Sequence, residues 1–190
     1  MNDISNIKHD FKTICNKENI FLNKDKINNS FLISFHLENK NKNIDDFISL
    51  EMYDLLYNLN KDTIDKIQIK NRISNNEVDV LFIFKPFGQD LGFKNKYMYV
   101  NTRLEVRDNK KIFISNDKEY PFPDELKNYE KLNNIVSYMI VDFLSQNKAN
   151  INYFFKLETP DILPIYMENI FGILMKKMFI QLKRFIEIIQ

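Results

Sequence analysis

His9, His36 and Cys15 are all the imidazole and thiol that this 190-residue chain carries for binding a metal or making a nucleophile. A lone cysteine excludes an internal disulfide framework and any cysteine-based zinc site. His36 has no serine or cysteine partner at readable spacing, and no Gly-x-Ser-x-Gly surrounds any serine, so no nucleophile elbow is encoded. Cys15 has only Lys17 as a basic neighbour in the chain and reads as an inert thiol. Asp45 and Asp46 are the most visible carboxylate pair. Side by side at the head of an apolar-periodic segment, they suit the free amides and dipole of a helix start, whereas acid/base work needs a carboxylate facing them across a cleft. Lys85 to Gly92 holds two of the three glycines, but its spacing is neither dinucleotide-binding nor P-loop, and it reads as a hairpin turn. The sequence therefore calls for no catalytic residue, no metal and no cofactor.

Charge narrows the partners. Twenty-seven basic against 26 acidic side chains leave a net charge of +1, which gives no field for nucleic acid or an anionic membrane. Basic residues concentrate only at Lys176, Lys177, Lys183 and Arg184, one side of the last predicted helix. Such a stripe is either a solvated face or a dock for an acidic partner or lipid headgroups. Asn, Ile and Lys crowd the chain while Ala149 is the only alanine. That bias points to an AT-rich genome, such as an organelle, a parasite or a large virus, and discounts the Asn and Lys content as a sign of disorder. It also makes Gly88, Gly92 and Gly172 informative, because codon pressure disfavours them.

The elements that would position these side chains follow from periodicity. Residues 1–28 place Ile4, Ile7, Phe11 and Ile14 at helical spacing, which predicts a short amphipathic helix or a loosely attached arm ahead of a single domain over 29–190. Its acidic residues and lack of arginine make it a poor targeting peptide. From Ser30 to Glu38, Phe31, Ile33, Phe35 and Leu37 alternate with the other face, as a half-buried strand does. Asp45 to Leu59 predicts one helix or two short ones. Strands follow at Val78 to Phe84, Tyr97 to Val106 and Lys111 to Ser115, joined by turns. Residues 124–134 are polar enough for a surface excursion or a single helical turn. Ile135 to Leu144 suits a strand better than a helix, because the hairpin loop after it leads into the alternating Ile151, Tyr153, Phe155 and Leu157. Finally, Asp161 and Pro164 open a helix with the stripe Leu163, Met167, Ile170, Leu174, Met178, Leu182, Phe185 and Ile189. About 25 residues at 1.5 Å each make a rod of roughly 38 Å, long enough to cross a sheet. Its apolar run is broken by Glu168, Asn169, Lys176 and Lys177 and is too polar to span a bilayer cheaply, so the chain reads as soluble and intracellular.

A hairpin-built sheet with one long helix must bury its apolar face against that helix, an α+β arrangement. This order resembles the helix-grip superfamily of START and Bet v 1-like (SRPBCC) domains. The likeness rests on the strand Phe31 to Glu38, the helical insert Asp45 to Leu59, the hairpins through Lys85-Pro86-Phe87-Gly88 and Gln146 to Ile151, and the closing Leu163-Pro164 before the long helix. Within that superfamily the chain looks like the uncharacterised cyanobacterial and plastid branch. The resemblance implies a curved antiparallel sheet of about six or seven strands wrapped on the C-terminal helix, and a location in a plastid stroma or the cytoplasm. It further implies an apolar cavity holding a lipid, pigment or quinone-like molecule, walled by Phe35, Phe82, Phe84, Met98, Phe155, Phe171, Met175 and Met178. A methionine and phenylalanine stripe is also what a filled core looks like, so the expectation turns on whether an enclosed volume of about 300 Å³ lies beneath the helix. The alternative is a structural or interaction subunit of an AT-rich virus or organelle, solid inside and using the basic helix face. An enzyme of the cyclase or hydrolase type on the same fold is the third reading.

Overall fold

The computed structural model describes residues 11–25, 30–86, 95–158 and 165–190. His9, the Phe87 to Gly92 turn, and Asp161, Leu163 and Pro164 at the start of the last helix lie outside the described residues. In chain order the elements are β1 (Phe11–Lys17), β2 (Ile20–Asp25), β3 (Ser30–Glu38), α1 (Met52–Leu59), β4 (Ile64–Ser74) and β5 (Glu77–Phe84). They continue with β6 (Asn95–Arg107), β7 (Lys110–Asp117), β8 (Tyr129–Lys131), β9 (Asn133–Ser145), β10 (Lys148–Glu158) and α2 (Ile165–Ile188). The fold class is α+β, with a 10-stranded sheet in the order β1-β2-β3-β10-β9-β7-β6-β5-β4, antiparallel throughout, and β8 added parallel to β6. β1, β2 and β8 raise the strand number above the six or seven expected. Residues 133–145 are strand, and Asp45 to Leu59 divides into a 3-10 turn at Ile44–Phe47 and α1.

Residues 11–25 correct the expected helix or arm. They form a hairpin that turns through Glu18 and Asn19, at φ 56° and 57°, and pairs through β2 with β3. Ile20 and Leu22 are fully buried, so the gain from covering the edge of β3 and burying these side chains outweighs the helical spacing of the polar segment. The sheet therefore begins before residue 29.

On β3, Phe31, Ile33, Phe35 and Leu37 are all buried, as their alternation requires. The excursion beyond β7 lies over the outer face of the sheet. Tyr120 and Leu126 cover Leu81, Ile83 and Tyr99 there, and Lys131 donates to Asp117 at 2.7 Å and Glu119 at 2.6 Å.

On the inner face, α2 packs against β2, β3 and α1. Its buried stripe is Phe171, Met175, Met178, Phe179, Leu182 and Ile186, displaced about one position from the expected one. Ile170, Leu174, Phe185 and Ile189 are only half-buried flanks. Gly172 explains the close approach to β3, since a Cβ there would stand 2.8 Å from two carbons of the Phe31 ring. Asn39, buried at the end of β3, ties down the other end by donating to the carbonyl oxygens of Ile186 and, at 2.9 Å, of Ile189. Those carbonyls have no partner within the last turn of a helix.

Candidate ligand cavity

A cavity of about 50 Å³ lies between α2 and the sheet. α1 gives Met52, Tyr53 and Leu56 to its wall, β5 to β7 give Phe82, Met98, Val100, Phe113 and Ser115, β9 and β10 give Asn134, Ser137, Met139 and Tyr153, and α2 closes it with Met175, Met178 and Phe179. A smaller space of about 10 Å³ adjoins it toward Phe84, Phe155 and Phe171, and shares Met98, Asn134, Tyr153 and Met175. Met52, Met98, Met139, Met175 and Met178 in the larger wall are five of the seven methionines of the chain. Unbranched thioethers change rotamer at low cost, so this wall can be reshaped where one of Leu and Ile would resist.

Seven of the eight residues expected to line a ligand cavity stand beside one of these two small spaces. Phe82, Met98, Met175 and Met178 face the larger space, and Phe84, Phe155 and Phe171 the smaller. Phe35 does not. Its ring packs on Phe179, centroids 5.6 Å apart, and Phe179 takes its place in the wall. The volume falls well short of the 300 Å³ that a lipid-sized ligand requires on the order of magnitude.

One part of the wall is polar. The Tyr53 hydroxyl lies 2.8 Å from Thr102 Oγ1, which lies 2.8 Å from Ser115 Oγ. Asn134 Nδ2 donates to Ser137 Oγ at 3.1 Å. Burial pushes the phenols of Tyr53 and Tyr153 above their ordinary range, against the pull of neighbouring hydroxyls, so both stay neutral at physiological pH. Among the described residues no acid, lysine, arginine or histidine stands in the wall. Periodicity offered a signal for this band that apolar pattern reading passes over. Ser137 is in phase with buried Met139 and Val141, and Ser115 with buried Phe113.

The basic stripe of α2 does not form the free outer face its sequence suggests. Lys176 is buried, with Nζ 3.1 Å from Sγ of Cys15 on β1, so that thiol also has a basic neighbour in space. The hairpin that replaces the expected arm covers this side of the helix. Lys177 pairs with Asp62, Lys183 donates to the His36 carbonyl oxygen at 2.8 Å and pairs with Glu187, and Arg184 clasps Glu18 in the β1–β2 turn. The His36 ring is exposed, as its strand phase predicts, with Nδ1 3.1 Å from Asn150 Oδ1. Asn43 rather than either aspartate caps the 3-10 turn, which carries Asp45 and Asp46 in its first turn. Among the described residues no cluster of His, Cys, Asp and Glu suits a metal, and no helix is long and apolar enough to cross a membrane.

A curved sheet gripping one C-terminal helix is the architecture of START domains. The chain superposes on the lipid transfer and protein localization domain of human StarD13 with a TM-score of 0.74 at 10% identity, covering 94% of this chain and 90% of that one. Human STARD10 gives a TM-score of 0.73 at 10% identity, over 92% of this chain and 71% of that one. Human StAR-related lipid transfer protein 5 gives 0.69 at 10% identity, over 92% and 85%. The chain thus has the START-type helix-grip fold, shared at the level of architecture. No protein-family model and no curated protein sequence matches it.

Proposed function

We propose that this protein binds a hydrophobic small molecule of the lipid class between α2 and the sheet. The observation that carries the reading is the cavity wall itself. Five methionines gather under the gripping helix, in a fold that human lipid transfer proteins share. A lipid needs several times the present volume, so uptake requires the wall to open. The methionine side chains re-pack and α2 moves off α1 and β5 to β7, which ligand binding favours by selecting the open form. Burial of the apolar chain then supplies the affinity, at roughly 25 cal/mol per Å² removed from water before the costs of ordering are met. No wall residue suggests group transfer or acid/base chemistry, so the reading is one of binding. The test is native mass spectrometry of the purified protein, paired with Nile red fluorescence and displacement of the dye by a long-chain alcohol. An adduct of lipid mass and displaceable dye are expected, whereas a protein that takes up neither contradicts the reading.

A further inference from the structure

Asn134 is 1% exposed, stands in the wall of both the larger and the smaller space, and its Oδ1 has no hydrogen-bond partner within the protein. Its amide nitrogen is committed to Ser137. A buried acceptor of this kind is costly to keep, and leucine on the same strand face would pack without that cost. Of the hydroxyls nearby, those of Tyr53, Thr102 and Ser115 are bonded in a chain, and that of Ser137 accepts from the Asn134 amide nitrogen. Among the described wall residues, Asn134 Oδ1 is the buried side-chain oxygen with no hydrogen-bond partner. Among the described residues no cation or anion lines the space, so a carboxylate, phosphate or ammonium head would meet no counter-charge from them, at a cost that chain burial does not offset.

We infer that the ligand is a neutral amphiphile whose head carries a hydroxyl, and that this hydroxyl donates to Asn134 Oδ1 while the apolar body lies against the methionines. The inference rests on the proposed binding function and specifies its ligand class and orientation.

The probes are three molecules with one chain length: a C16 primary alcohol, its methyl ether and the corresponding fatty acid, measured at pH 8 by displacement of Nile red. The alcohol is expected to bind about tenfold more tightly than the ether, the usual worth of one satisfied buried acceptor, and the acid more weakly than both. Asn134→Leu should bring the alcohol to within about twofold of the ether, the ratio of the two affinities being the readout. Equal affinity of alcohol and ether in the unmodified protein would overturn the inference and leave the binding function standing, and this comparison needs no variant to fold. An alcohol preference that survives Asn134→Leu, or an acid that binds best, also overturns it. Failure of all three to bind overturns the binding function along with it.

Discussion

α2 meets the rest of the molecule along two sides that are packed in opposite ways. Toward β2 and β3 the contact is dense. Gly172 lets the helix touch Phe31, whose ring stacks on Phe155 with centroids 5.1 Å apart, and Ile20, Leu22 and Ile33 show no exposed surface. Toward α1 and β5 to β7 the contact is loose, with methionines around a small void and a polar band set into the wall. A core built for stability alone would be uniform, because void and unsatisfied acceptor each cost free energy. The contrast teaches that one side fixes the helix and the other is left deformable, which is what a grip that opens requires.

Truncation at the dense side should break this division most severely. Phe31→Ala removes a fully buried ring, and chemical denaturation should report a loss of about 3–5 kcal/mol. Gly172→Ala comes next. Helix propensity favours alanine by about 1 kcal/mol, but the new methyl meets a ring that Phe155 holds in place, and overpacking costs about 1–3 kcal/mol. A net loss of stability is therefore expected, with α2 displaced from β3, and a net gain would mean that the close approach is not tight. Smallest is the double change Met175→Leu, Met178→Leu on the loose side, which conserves volume and should alter stability by less than about 1.5 kcal/mol. It should nevertheless slow dye uptake, since branched side chains re-pack less readily than methionine. Equal costs for Phe31→Ala and the methionine pair would erase the distinction between the two sides.

Much of this arrangement was legible in the chain. Strict alternation on β3 and β10 fixed the buried faces, and the run of apolar residues after Leu163 announced the long helix. What escaped has physical causes. The β1–β2 turn puts Glu18 at positive φ, where the residue type gives no turn signature, and the residue is held there by Arg184 from far along the chain. Ile14 and Phe11 then mimic a helical stripe. Without that hairpin, Lys176 falls on a stripe that reads as a solvated face or a dock for an acidic partner or lipid headgroups, whereas its amine reaches Cys15. Part of the apolar wall is legible in the chain, but Met52, Met139 and Phe179 are not among the residues its pattern singles out, nor are Asn134, Ser115 and Ser137, since polar residues on a strand's buried phase break the pattern by which that phase is recognised. Phe35 packs on Phe179, whose ring stands in the wall in its place, a contact between distant segments that strand alternation does not encode.

The central claim is that the loose side of α2 takes up an apolar ligand while the dense side stays fixed. It is tested most directly by methyl NMR on protein labelled at methionine ε-methyls and isoleucine δ1-methyls, titrated with the C16 alcohol. The account predicts large shifts at Met52, Met98, Met139, Met175 and Met178 with little change at Ile20 and Ile33. Unmoved cavity methionines at saturating alcohol, or shifts spread equally over both sides, would contradict it.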